Sequence, residues 1–267
     1  MTETDNKKNE KNEGQGAAEA AQRPAVFSSA VLLAEPGFDA EAFAKAFEND
    51  WGRKVTFKKD AASGAAVFDL ESALLAVEPK EGPAPDAEQH AATNPAWSQG
   101  AMMAGLAKAH LTVAAFRRPE ASPLEAATDL VKATATLSRL PKCLAIDTGS
   151  TLLSPDAYRD GASVAEEKGG LPLFCLVSFV VAGEPDGRFS AVTLGLSAFL
   201  RREIEVLPSE QPPEKIREFL LTVAEWEIRS EKDVAEGTPL GLGDKRTPAA
   251  AGASRFVEGL ETLQVTL

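Results

Sequence analysis

The longest near-continuous apolar stretch of the chain, L-P-L-F-C-L-V-S-F-V-V from Leu171 to Val181, is the length of a strand. A membrane helix needs roughly 18 to 20 apolar residues in a row, so no span is read here. The other apolar runs are shorter still, and Gly, Pro or charged clusters bound them. That is the punctuation of a sheet with helices packed on it. A run so evenly apolar predicts an interior strand buried on both faces.

The rest of the pattern fills in a mixed layout. A strand is predicted over Ala25 to Glu35, ended by Pro36-Gly37, and then a helix capped by Asp39 with Phe43, Phe47 and Trp51 at helical spacing. V-T-F-K-K, A-A-V-F-D-L and S-A-L-L-A-V-E read as three further strands. Glu81 to Pro95 is proline-rich and predicts a loop, with Asn94 capping the next helix and Pro95 at its first position. That helix would carry Trp97, Met102 and Leu106. A strand opens at His110. Ser122-Pro123-Leu124-Glu125 is a capping box with proline at the first helical position, ahead of the stripe Ala126, Leu130, Ala133, Leu137.

Pro141 ends that helix and the strand K-C-L-A-I-D follows. A polar loop then runs on to Gly170. Gly183 to Gly187 is a turn into R-F-S-A-V-T-L-G, and a helix after Pro212-Pro213 carries Ile216, Phe219, Leu220, Val223 and Trp226 on one face. A last short strand falls near Leu263 to Leu267. The class is α/β in the α+β sense, a mixed and largely antiparallel sheet with packed helices. Residues 1–23 are polar and without periodicity, a disordered tail removable without loss of stability. Residues 24–267 form one domain, with sub-lobes 24–80 and 95–267 if the Glu81 to Pro95 segment is a hinge.

The full chain carries a formal net charge of -12, which repels nucleic acid and favours a basic protein partner. No signal peptide is read at the N-terminus, so the expected location is the cytoplasm. Cys143 and Cys175 sit in apolar runs as reduced thiols, and His90 and His110 lack metal-ligand spacing, so neither metal nor cofactor is expected. Glu203, Glu205, Glu225 and Glu227 read as solvated alternation. Gly241-Leu242-Gly243-Asp244-Lys245 lacks the spacing of a phosphate loop.

One stretch carries a chemical suggestion. C-L-A-I-D-T-G-S delivers Asp147, Thr148 and Gly149 at the end of an apolar strand, as an aspartic protease presents its carboxylate. V-T-L-G-L-S-A-F-L-R, Val192 to Arg201, looks like the element that crosses such a loop. With one Asp-Thr-Gly the enzyme would be a homodimer, and roughly one chain in twenty of this length holds that tripeptide by chance. The competing reading is a strand running into a turn, with Asp147 as the turn residue. Trp97 and His110 are the candidate binding side chains, each weighed against a packing role.

Taken in order, S-A-V-L-L-A-E-P, E-S-A-L-L-A-V-E, P-A-W, A-K-A-H-L-T-V-A, F-S-A-V-T-L-G-L-S-A-F-L-R-R-E-I-E-V-L and E-F-L-L-T-V-A-E-W resemble a bacterial domain-of-unknown-function family, family 4261, over most of Ala25 to Leu267. The resemblance implies a cytoplasmic, non-enzymatic bacterial protein, of a sort that accompanies secreted-toxin or contractile-injection gene clusters. The chain departs from that pattern at Asp147, where an aromatic such as Trp is expected. The functional expectation is a protein-binding module, most specifically an immunity-type protein that neutralises a basic toxin. The alternatives are the homodimeric protease and a housekeeping module whose acidity only maintains solubility.

Overall fold

The alternation in V-F-S-S-A-V-L-L sends Phe27, Ser29, Val31 and Leu33 to one face of strand β1 (Val26–Leu33) and Val26, Ser28, Ala30 and Leu32 to the other. The computed structural model describes residues 26–167 and 169–267; the stretch 1–23 lies outside them. Among the described residues are six α-helices and fourteen strands, a mixed α+β arrangement with mostly antiparallel sheets.

After β1, Asp39 accepts the backbone N–H groups of Glu41 and Ala42 and caps helix α1 (Ala40–Trp51), which buries Phe43 and Phe47. Strands β2 (Thr56–Lys59), β3 (Ala66–Asp69) and β4 (Ala73–Glu81) form a meander. Two short helices, α2 (Ala87–Ala92) and α3 (Gly100–Leu106), interrupt the path to β5 (Ala109–Arg117). Helix α4 (Pro123–Leu137) starts on the complete Ser122–Glu125 capping box. Strands β6 (Cys143–Asp147) and β7 (Leu152–Leu153) close a sheet of order β2-β3-β4-β5-β1-β6-β7, antiparallel throughout.

The chain then makes helix α5 (Pro155–Ser163) and a second sheet. That sheet contains β8 (Ser178–Gly183), β9 (Phe189–Leu194) and β10 (Glu203–Ser209). Helix α6 (Pro213–Ser230) packs on these three strands. A two-stranded ribbon, β11 (Pro239–Leu242) with β12 (Lys245–Pro248), precedes β13 (Ala250–Ala253) and β14 (Glu261–Val265). The second sheet has the order β13-β14-β10-β9-β8, and β10 with β14 is its parallel pair.

One apolar core runs through both sheets. Helices α1 and α4 cover the inner face of the first sheet, α6 covers the second, and Phe27 meets Phe199 at 4.9 Å between ring centroids. A second, smaller cluster lies on the outer face of the first sheet. There the alanines of α2 and α3 (Ala87, Ala91, Ala104) pack on Leu32, Ala145 and Leu152. Gly100 permits this, because a Cβ there would stand 3.3 Å from the Ala91 Cβ and 3.2 Å from the Trp97 ring.

Several expectations are corrected. The Leu171–Val181 run is not an interior strand. Pro172 breaks it, Leu173–Cys175 form a 3₁₀ turn, and only Ser178–Gly183 is strand, at the edge of its sheet. Leu171, Leu173, Cys175 and Val177 are buried, with α5 packed on the 3₁₀ turn and α6 on the strand, while Phe174 is 57% exposed and Phe179, Val180 and Val181 are half-buried. The Glu81–Pro95 segment contains α2, and β4 and β5 on either side of it pair directly, so it is an excursion from one sheet. Asn94 caps no helix; its amide donates to Leu152 O at 3.0 Å, and helix α3 begins only at Gly100. Ser154-Pro155 starts a helix inside the expected polar loop, with Ser154 Oγ accepting from Ala157 N–H. Trp226 points outward, at 48% exposure.

Helix α4 lies on β1 and β5, so its N-terminus is a lever on the core. Ser122→Ala leaves the Glu125 N–H without its acceptor and is expected to cost about 1 kcal/mol in a denaturant titration.

Candidate functional site

The C-L-A-I-D-T-G-S stretch is a hairpin. Asp147 pairs with Leu152 across it, Thr148 N–H donates to Thr151 O at 3.0 Å, and Gly149 takes a left-handed φ of 85° at the bend. Gly149 N–H also donates to Asp147 Oδ1 at 2.8 Å, the side-chain bond expected of a turn aspartate. The turn reading of Asp147 describes this local geometry.

The hairpin aims Asp147 at α2. The His90 Nδ1–H reaches both carboxylate oxygens, at 2.9 and 3.0 Å, and the Asp147 side chain is only 4% exposed. The pairing holds Nδ1 protonated and turns Nε2 outward. The hydrogen bond that His90 donates to Asp147 raises the pKa of His90 above the ordinary imidazole value, burial opposes it, and the charges of Asp147 and Asp86 add to the rise. An acid-protease pair requires two aspartates facing one another across a water and sharing one proton. Here Asp147 is buried, and both its oxygens are taken by a histidine of the same chain.

His90 lines a cleft of about 510 Å³ where the end of the first sheet meets the second. Val180, Val192 and Leu194 form one wall, and Phe256, Val257 and Leu260 form a second apolar side. Gln89, His90, Thr148, Ser150, Ser197 and Glu203 are its polar lining. The V-T-L-G stretch does lie against the hairpin. Ser150 Oγ is 2.7 Å from Ser178 Oγ and 3.4 Å from Leu194 O, which ties the two sheets together across the cleft.

Glu203 and its neighbours overturn the expectation of solvated alternation. Glu203, Glu205 and Glu227 are at most 3% exposed, and only Glu225 stands in water. Glu203 accepts the N–H groups of Gly195 and Ser197, both at 2.9 Å, and the Thr193 hydroxyl, so it holds the turn that follows β9. Glu205 does the same for Arg255 N–H and Thr262. Glu227 accepts Val234 N–H at 2.8 Å through Oε1, while its Oε2 has no partner among the described residues. Burial above all pushes its pKa up to about 7; Asp233 and Glu203 add to the rise, and Val234 N–H and Arg201 oppose it.

Three hydroxyls around the cleft are engaged within the protein. Ser150 is spent on Ser178, Thr148 leans on Thr151 O, and Thr93 donates to the carbonyls of His90 and Ser150. Trp97 is half-buried against the small outer-face cluster, and His110 is buried with Nδ1–H donating to Gly82 O at 3.0 Å. Both hold the α2–α3 excursion down, and neither lines the cleft. Cys143 and Cys175 are free thiols, each pushed up to about 12 by burial. Among the described residues, no group of three or more His, Cys, Asp or Glu side chains is placed to hold a metal ion. A further cleft of about 580 Å³ lies beside α4, with Asp129 in its lining. Asp129 takes Arg53 at 2.6 Å and the Ser72 hydroxyl.

A second surface is notable for what leaves it bare. The outer face of the first sheet is covered by α2 and α3 only at its β6–β7 end. At the other end Val26, Phe116 and Leu74 lie side by side on β1, β5 and β4, with Val67 beyond them on β3, each 41–44% exposed. Ser28, Ala30, Ala76 and Ala114 fill the floor between the row and the covered half. An antiparallel sheet with a solvated face ordinarily alternates to polar residues there.

No family model, curated protein or solved structure matches the chain. Among the described residues no helix is long and apolar enough to cross a membrane.

The Glu227 carboxyl is bound more tightly to its proton in the folded chain than in the unfolded one. Its contribution is therefore greatest below the ordinary carboxyl value of 4.5 and is lost as pH rises through about 7. Glu227→Gln keeps an acceptor for Val234 N–H and carries no charge. It is expected to raise stability at pH 8 by at most about 3 kcal/mol, with little change at pH 4.5. Urea titrations of both proteins at the two pH values measure it; equal differences at both would contradict the assignment.

Proposed function

We propose that this chain is a non-catalytic protein-binding module and, in its most specific form, an immunity-type protein that neutralises a basic toxin of the same cell. The observation that carries the reading is the bare outer-face row of Val26, Phe116, Leu74 and Val67. Contiguous apolar side chains left in water on an otherwise well-packed sheet mark a surface that a partner covers. A partner that buries Phe116 and Leu74 gains roughly 25 cal/mol for each Å² of apolar surface taken from water.

The charge supplies the partner's chemistry. With a formal net charge of -12, the chain attracts a basic protein over distances set by the ionic strength. Attraction accelerates the encounter, and the apolar row then determines how long the complex lasts. Thr93 and Ser150 beside the His90–Asp147 pair spend their hydroxyls within the protein, which supports binding over group transfer at those two residues, because acyl transfer at a serine or threonine needs a hydroxyl within reach of a base. The resemblance to family 4261 fits the same proposal through its toxin-associated setting.

Replacing two exposed side chains separates this reading from a housekeeping role. The double variant Leu74→Ser with Phe116→Ser is expected to stay folded, because both positions face water. It should lose a co-purifying basic partner, with dissociation faster by about tenfold or more. Co-purification from the native cell at low and high salt measures it, with association expected to slow as salt rises. Recovery of the protein alone, or a partner held equally by both proteins, would overturn the proposal.

A further inference from the structure

We infer that the His90–Asp147 cleft is a binding site for an apolar carboxylate: a carboxyl head on a hydrocarbon body, supplied either by a small free acid or by the C-terminal residue of a peptide. The inference is independent of the outer-face row.

The shape comes first. A cleft of about 510 Å³ with Val180, Val192 and Leu194 on one side and Phe256, Val257 and Leu260 on another suits a short apolar body. Polar side chains line it beside the apolar ones, so a ligand that fills it is amphipathic.

The choice of head follows from a count of hydrogen-bonding capacity. The two nearest carboxylates, Glu203 in the lining and Asp147 behind His90, are already engaged from within the protein: Asp147 by His90 and Gly149 N–H, Glu203 by Gly195 N–H, Ser197 N–H and Thr193. Neither is left to attract a cation. What remains is the outward Nε2 edge of His90, flanked by the exposed Ser197 hydroxyl and Gln89 amide, each of which can donate as well as accept. An imidazolium with Nδ1–H on Asp147 presents Nε2–H to the cleft. A charge-assisted N–H···O⁻ bond is about twice as strong as a neutral one, so a carboxylate is preferred to an amide of the same shape.

The charged groups facing His90 are Asp147 from β6, Asp86 from the turn before α2, and Glu203 across the cleft. Asp147 and Asp86 both favour the protonated ring. Binding of a carboxylate is therefore strongest on the acidic side of the His90 titration and weakens as the ring loses its proton.

The test uses the full chain with octanoate and octanamide as matched probes, read by calorimetry and by the His90 ring resonances. Octanoate is expected to bind about tenfold more tightly than octanamide, to move the His90 signals, and to weaken as pH is raised from 6 to 8. His90→Gln keeps a donor toward Asp147 and removes the charge; it should abolish the preference for the acid. Phe256→Ala should weaken both probes alike. A second arm compares Gly-Gly-Leu with its C-terminal amide. Tighter binding of the free tripeptide than of octanoate assigns the site to chain ends, and the reverse assigns it to free acids. Equal affinity for acid and amide, or a preference that survives in His90→Gln, would overturn the inference. Should His90→Gln not fold, the acid–amide comparison in the unmodified protein and its pH dependence decide alone.

Discussion

Strand β1 is paired along both edges, Val26–Leu33 against Ala109–Phe116 and Ala30–Leu33 against Cys143–Asp147. Because side chains alternate, sliding it by one residue against either neighbour would exchange its faces and send Phe27, Val31 and Leu33 into water. The register does more than bury a core. It sets Ala30 opposite Asp147, which fixes where the hairpin turn presents its carboxylate, and Val26 opposite Phe116, which builds the bare row. Both candidate surfaces are therefore consequences of one strand's alignment, at opposite ends of it.

Buried carboxylates recur as the means of joining elements. Asp129 holds Arg53 and Ser72, Asp147 holds α2 through His90, and Glu203 and Glu205 hold the turns around β10. Each is acceptable in the interior because donors surround it; an isolated carboxylate would instead take up a proton. Glu227 is the case that shows the rule. It has one backbone donor and an unpartnered oxygen, and burial pushes its pKa up to about 7.

Some local signals in the sequence were read correctly because their cause is local. Asp39, the Ser122 box and the apolar stripe from Ile216 need only neighbours within a turn of helix, and the helices stand where those residues put them. Asn94-Pro95 is a local signal that heads no helix, and Ser154-Pro155 is one that heads a helix within the expected loop. The failures at Leu171–Val181 and at the buried glutamates have a different cause. Leu171–Val181 is apolar because two helices pack on it, and hydropathy alone does not distinguish helical cover from flanking strands. Glu203, Glu205 and Glu227 alternate with apolar residues just as solvated side chains do, and only their donors, up to 57 positions away, make them interior. The candidate site was half legible. Asp147 stood out in a recognisable tripeptide, whereas His90, also 57 positions away, carried no signal until the sheet brought it to the hairpin. A weak cue was present in α2 itself: Ala87 and Ala91 lie i, i+4 apart, enough to seat a short helix in the proline-rich segment.

The α2–α3 excursion decides what each end of the outer face becomes. Its alanines seat closely on Leu32, Ala145 and Leu152 because both surfaces are small and flat, and Gly100 lets the two helices approach. That seating carries His90 to Asp147, so the cleft exists only because the excursion is docked. It also ends short of Ser28, Ala114 and Ala76, leaving the same small-residue floor with the Phe116 row beside it and, among the described residues, nothing above. A floor that accepts an alanine-rich helix at one end offers the same chemistry at the other. One face of one sheet thus supplies both a site completed from within the chain and a surface left for a partner.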